Sequence, residues 1–344
     1  MRQDDTRNDP WSNEPGEFEN VVIGSSLTTE SDEFLRSALS VTRALRARIR
    51  LVHALSIEPL AYGFDGVLPP DILGNLERLQ TDDLARQIRE TQVLEHELIS
   101  ADIVASAPHK ALASVAGATC ADLIIVGASD APGPGVRLLG STTDRVIRSA
   151  HCPVLILRSG MPLPPPRVLA PVDLSRNSAL AVETGVDFLM QMNADSCSAV
   201  ETLFVLSPLN RGLPSQFSPQ QIHRMAKEEL LRFTFEHTEG WRGKIETKLR
   251  IGEARQQLLK ELEDQPVDLI VLGSQGHGRV HRALIGSVAG QIACRATCSV
   301  LFVPRQDDQQ VIEESKVQTD RAEFSSHLAA SGTEGVVGDR LRFG

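Results

Sequence analysis

The 344-residue chain has no surplus of basic residues: 35 Lys and Arg stand against 45 Asp and Glu, a formal net charge of −10. Proteins that grip nucleic acid or an anionic membrane gather Lys and Arg to meet phosphate, so neither is expected as the main partner. Long apolar runs are missing too. None approaches the ~18 to 20 residues of a membrane helix, and the polar, acidic start from Met1 to Pro10 has no apolar stretch of the secretory kind. Cysteine is sparse: Cys120, Cys152, Cys197, Cys294 and Cys298 are odd in number and scattered, unlike a disulfide framework. Together these absences predict a soluble protein of the reducing cytoplasm. Catalytic signatures are equally scarce, with no nucleophile elbow and no paired acid/base motif. His277 and His281, four residues apart, lack the carboxylate or third ligand that zinc would need.

The charge that is present lies at the ends. Residues 1–20 hold six acids and two bases, and residues 306–344 hold eight acids and four bases, so the middle is close to neutral. The C-terminal stretch is rich in Asp, Glu, Gln, Ser and Gly without apolar period, a composition that cannot offset its ordering entropy by burial. Both tails, 1–18 and 306–344, are predicted to be disordered.

The middle repeats itself. Ala121-Asp122-Leu123-Ile124-Ile125-Val126-Gly127 recurs as Val267-Asp268-Leu269-Ile270-Val271-Leu272-Gly273, a spacing of 146 residues. Gly140-Ser141 recurs as Gly286-Ser287, and Cys152-Pro153-Val154-Leu155 as Cys298-Ser299-Val300-Leu301, each at the same spacing. A period this long is a duplicated domain with its own core in each copy, not a solenoid unit. The expected division is residues 19–158 and 167–305, joined by the Pro-rich stretch 159–166. In each copy short β-branched runs alternate with segments of helical period, the pattern of βαβ units. Strands are expected near 20–25, 49–54, 101–105, 122–127 and 153–157, then near 167–172, 201–206, 245–250, 268–273 and 299–303. The fold class is α/β: two tandem doubly wound, open, parallel five-stranded sheets, whose ligands sit beyond the carboxyl ends of the strands where strand order reverses.

One loop carries chemistry. After the strand ending at Leu272, the chain reads G-x2-G-x9-G-S through Gly273, Gly276, Gly286 and Ser287. Gly273 and Gly276 let backbone amides approach a phosphate, and Gly286-Ser287 opens a helix whose free N–H groups favour an anion. No Gly-Lys-Ser/Thr follows the glycines, and neither first strand carries G-x-G-x-x-G, so this is neither a Walker loop nor a dinucleotide fingerprint.

With Val168-Leu169-Ala170-Pro171-Val172-Asp173-Leu174-Ser175 opening the same domain, this loop resembles the universal stress protein family, and both copies share the resemblance. It implies a cytosolic, non-metabolic regulator of stress survival, in a family of which some members bind ATP. It implies that Asp173 faces the adenosine and phosphate region, that Val205 contacts adenine, and that Gly273, Gly276, Gly286 and Ser287 cradle the phosphates, with Arg279 or His277 available to phosphate oxygens. The ligand would be ATP, or ADP or AMP, with Mg2+ where a metal accompanies it. Asp173 has a second reading as a carboxylate that caps the following helix, a job Ser175 could share. A slow ATPase or a nucleotide-free scaffold are the alternative functions. The resemblance also implies that the apolar last strands pair, here copy to copy within one chain, and leaves a chain-to-chain homodimer open.

Copy one departs from the pattern. Ser26 stands where Asp173 stands, Asp130 replaces the glycine matching Gly276, and Pro132 and Pro134 remove amide donors. A carboxylate among phosphate oxygens is repulsive. Copy one is therefore predicted to bind nucleotide weakly or not at all. The cysteines Cys152 and Cys298, at equivalent starts of the last strands, are read as core residues and not as redox centres.

Overall fold

The computed structural model describes residues 18–56, 70–94, 96–128, 140–207, 218–274 and 286–305. Residues 1–17 and 306–344 lie outside the described residues; Phe18, expected in the disordered N-terminal tail, is instead buried in the core. In copy one the strands are β1 (Asn20–Ser25), β2 (Arg48–Ala54), β3 (Leu98–Val104), β4 (Leu123–Gly127) and β5 (Val154–Leu157). Copy two repeats them as β6 (Arg167–Val172), β7 (Ala199–Leu206), β8 (Lys244–Ile251), β9 (Leu269–Gly273) and β10 (Ser299–Val303). The described helices are α1 (Thr29–Leu45), α2 (Pro70–Glu90), α3 (Pro108–Ala118), α4 (Ser141–Ser149), α5 (Arg176–Gln191), α6 (Pro219–Glu236), α7 (Ala254–Asp264) and α8 (Ser287–Arg295). The longest disagreement with the sequence pattern is at β3, which starts three residues before the expected Ala101. Ser100 and Asp102 break the apolar run there, yet the backbone pairs with β2 from Ile49↔Leu98 onward, across a register shift.

Within each copy all pairings are parallel, with the order β3-β2-β1-β4-β5 and its counterpart β8-β7-β6-β9-β10. The two halves are not separate sheets. β5 and β10 pair antiparallel, Leu155 opposite Leu301, and the result is one ten-stranded sheet. Every residue of those two strands is buried, which explains how such apolar edges are covered.

That junction also changes the core. Separate cores for the two copies were expected; instead, each face of the sheet carries one apolar cluster built from both. On one face α1, α2, α5 and α6 contribute Leu35, Leu39, Leu84, Phe188 and Phe233. On the other, α3, α4, α7 and α8 contribute Leu112, Val146, Leu258 and Ile292. The central strands are buried on both faces, so their unbroken runs, such as Leu123–Val126, need no alternation. Side chains stitch the halves together as well. Phe18 meets Phe188 edge to face at 5.5 Å. The Gln191 amide donates to Leu45 O at 2.6 Å and Phe18 O at 3.2 Å, and accepts from Phe18 N at 2.9 Å. Arg158 reaches Ala296 O at 2.8 Å and Cys298 O at 3.1 Å.

Candidate functional site

In copy two the chain passes from β6 to β7 on one side, while β9 lies on the other, so strand order reverses between β6 and β9. Asp173 follows β6, and Gly273 closes β9 at the same end of the sheet. Three local arrangements shape this place.

The first is a tight bend into α5. Leu174 adopts φ +64°, and Asp173 Oδ1 then accepts from Ser175 N at 3.1 Å and Ser175 Oγ at 2.5 Å. Ser175 is the N-cap: its Oγ accepts from Ser178 N at 3.3 Å. The cap is therefore Ser175 and not Asp173, which holds the capping serine and is half-buried. Copy one has the same bend with different atoms. Leu27 is at φ +58°, Ser26 Oγ lies 3.1 Å from Thr28 Oγ1, and Thr28 caps α1. The left-handed leucines were not legible in advance, because Leu is not a residue that signals positive φ.

The second is a close approach of backbones. A Cβ on Gly273 would lie 2.9 Å from Asn177 O in the first turn of α5. At the equivalent Gly127 the neighbour is the Phe34 ring, at 3.3 Å. Glycine is needed at position 273 for space, since its φ lies outside the left-handed range.

The third is a closed stem. Ser274 N donates to Val303 O, and Gly286 N donates to Ser274 O, each at 2.9 Å. The strand end and the start of α8 are pinned together. Gly286 is the N-cap of α8 and supplies no side-chain cap; Ser287 beside it is exposed. The amides of that first helical turn face an end with partial positive charge.

Val205 sits half-buried near the end of β7, the strand next to β6. The structure therefore puts Asp173, Val205, Gly273, Gly286 and Ser287 at one end of the sheet around the β6/β9 crevice. Gly276 and Arg279, with His277, His281 and Arg282, lie outside the described residues, as do Asp130, Pro132 and Pro134 of copy one. An anion fits what is described: a glycine that leaves no room for a side chain, an uncapped helix start and a hydroxyl beside it. Among the described residues no group of three or more His, Cys, Asp or Glu is placed to hold a metal ion, and no helix is long and apolar enough to cross a membrane.

The remaining chemistry is structural. Burial pushes the Cys152 thiol up to about 12, with the Asp122 charge adding to it, and the Cys298 thiol up to about 11. Neither is a poised nucleophile at neutral pH. His53 is buried with Nδ1 2.9 Å from Ser25 O. Sequence reasoning missed a buried polar group in copy one: fully buried Gln87 of α2 donates to Asp32 at 2.8 Å and accepts from Ser25 Oγ at 2.6 Å. On the other face of copy two, Glu261 receives Lys248 at 2.7 Å and Arg250 at 2.6 Å.

The model of the Universal stress protein family matches residues 17–158 and again 166–304. A universal stress protein of Mycobacterium tuberculosis is 27% identical over 296 residues, covering 82% of this chain and 95% of the relative. One from Methanocaldococcus jannaschii is 30% identical over 144 residues, 40% of this chain and 82% of its own length. Among solved structures, a universal stress protein of Archaeoglobus fulgidus superposes with TM-score 0.58 at 16% identity, covering 83% of this chain and 98% of that one. A functionally unknown protein of Pseudomonas aeruginosa gives TM-score 0.60 at 16% identity, covering 88% and 98%. The chain belongs to the universal stress protein family, as two tandem copies of its domain in one polypeptide.

Proposed function

We propose that the second domain binds one adenine nucleotide, ATP or its ADP or AMP relatives, in the β6/β9 crevice, and that the protein acts as a cytoplasmic, non-metabolic regulator of a stress response. The observation that supports this reading is the closed Ser274–Gly286 stem beside the close approach of Gly273 to α5, which brings the start of α8, free of a side-chain cap, to the carboxyl end of β9. Backbone amides and a helix start recognise phosphate without needing a basic side chain. Gly286 and Ser287, with Gly273 and Gly276, would hold the phosphates and Arg279 would add charge. Val205 would lie against the base. Asp173 would set the entry of α5 and meet the nucleoside or a Mg2+ that accompanies the phosphates. The stress role is carried over from the relatives' names.

The regulatory reading requires no catalysis, so the expected hydrolysis rate is low. The test is native mass spectrometry of freshly purified protein, followed by titration with Mg-ATP. The expected result is one nucleotide per chain, lost in Asp173→Ala and Gly276→Asp and kept in Ser26→Ala. Two per chain would mean that copy one is competent. None, with no binding of added Mg-ATP, would leave a nucleotide-free scaffold. Sustained turnover abolished by His277→Ala would make the protein an ATPase instead.

A further inference from the structure

The outer face of α6 is unusual for a solvent-facing helix. Seven large apolar side chains are exposed among the described residues, and three of them, Met225 (51% exposed), Leu231 (47%) and Phe235 (84%), lie on this helix. Two more, Ile245 and Ile251, belong to β8, the edge strand on which α6 packs. Leu230 and Phe233 point the other way, into the core. At 100° per residue, Gln221, Arg224, Met225, Glu228, Leu231, Arg232 and Phe235 fall along one side, opposite the buried one, and all are exposed. A capping box of Ser218 and Gln221 starts the helix, and its 18 residues present the stripe along about 27 Å.

The charges within the stripe decide what can cover it. About a two-fold axis passing at Leu230, an antiparallel copy of the helix would bring Met225 opposite Phe235 and Glu228 opposite Arg232, each twice. Leu231 would meet its own copy beside the axis. Glu228 is held by Arg224 at 2.8 Å, and Arg232 is paired with Glu229, so both charged ends are already extended along the helix surface. A membrane would be poorly served by a stripe with the Arg224–Glu228 pair and Arg232 along its centre, and an arbitrary apolar peptide would offer these charges no complementary partner. A second copy satisfies the apolar ends and the central charges together, because the pattern is complementary to itself.

We infer that α6 is an isologous docking surface for a second copy of this chain, joining two tandem molecules through their second domains by an antiparallel helix pair. The contact is a single helix face, at the small end of protein interfaces, so the dimer dissociates on dilution through roughly 1–100 μM.

Sedimentation of the full-length protein over that range tests it. The expected result is a monomer–dimer equilibrium that Phe235→Asp weakens by at least about tenfold. Glu228→Arg alone and Arg232→Glu alone each place like charges across the axis and weaken it similarly, while the double swap restores association to within roughly threefold of the original. Circular dichroism of each variant checks that the exposed substitutions leave the fold intact. A protein that stays monomeric throughout, a dimer indifferent to Phe235→Asp, or a double swap no better than either single variant would each overturn the inference. So would a monomer that cosediments with phosphatidylserine vesicles through Phe235.

Discussion

Gly273 offers a substitution whose sign can be worked out from neighbouring atoms. Replacing it with Ala puts a Cβ 2.9 Å from Asn177 O and 3.3 Å from its carbonyl carbon. These are backbone atoms at the start of α5, so relief requires the helix entry to move, and with it the Asp173–Ser175 pair. Overpacking of this kind costs about 1–3 kcal/mol. The equivalent Gly127→Ala meets the edge of the Phe34 ring at 3.3 Å. A side chain can swing, and the stiffer unfolded chain returns roughly 0.5 kcal/mol, so the net effect there is near zero. Gly74→Ala, in the interior of α2 with no atom within 4 Å of the added Cβ, gains about 1 kcal/mol of helix propensity. At about 2–4 °C per kcal/mol, thermal melts of the three variants should separate: Gly74→Ala above the wild type, Gly127→Ala level with it, Gly273→Ala lower by roughly 2–12 °C. Titration with Mg-ATP should show binding weakened in Gly273→Ala and unchanged in the other two. A Gly273→Ala protein as stable as the wild type would refute the argument from close approach, and one that is destabilised but binds normally would separate the crevice from the nucleotide.

Gln191→Ala removes three hydrogen bonds between the copies and should cost about 1–3 kcal/mol by urea denaturation, with faster amide exchange at Phe18. Glu261→Ala removes the carboxylate that Lys248 and Arg250 share, but Lys248 keeps Glu201 at 2.8 Å and Arg250 is 42% exposed, so the cost at pH 7 should be about 1 kcal/mol. Burial opposes ionisation of Glu261, but hydrogen bonds from Lys248 and Arg250 outweigh it and hold the carboxyl below its usual range. Its contribution is therefore present above the unfolded value and fades as pH falls through the folded one, so wild type and variant should converge in acid. Asp187 goes the other way: burial first, then the Glu183 charge, push it up to about 6. The folded state holds that proton longer than the unfolded chain, so stability declines as pH rises from about 4 to 6. Asp187→Asn should raise the melting temperature at pH 8 and leave it little changed at pH 4.

The duplication was legible because strand residues buried on both faces must stay apolar, and Leu123–Val126 and Leu269–Leu272 repeat that demand. The β5–β10 junction was anticipated only from the resemblance; the apolar strands Val154–Leu157 and Ser299–Val303 announce that they need cover, not what supplies it. The shared cores follow from that junction and could not be read from either copy alone. In the crevice, Gly273 and Gly286-Ser287 were visible as glycine spacing. The Asp173–Ser175 contact was half visible, since either residue type can start a helix. The left-handed Leu27 and Leu174 gave no signal at all, nor did Gln87, whose polar partners Asp32 and Ser25 lie on other elements.

The antiparallel meeting of β5 and β10 makes the strands of one copy run counter to those of the other. Their carboxyl ends point in opposite directions, so the two crevices open at opposite poles of the molecule. A homodimer assembled this way must carry the same crevice twice, since each substitution is expressed at both poles. Fusing the halves lifts that obligation, and Ser26 can stand where Asp173 stands without altering the other pole. The molecule acquires a front and a back, one pole bearing Asp173 and the other Ser26.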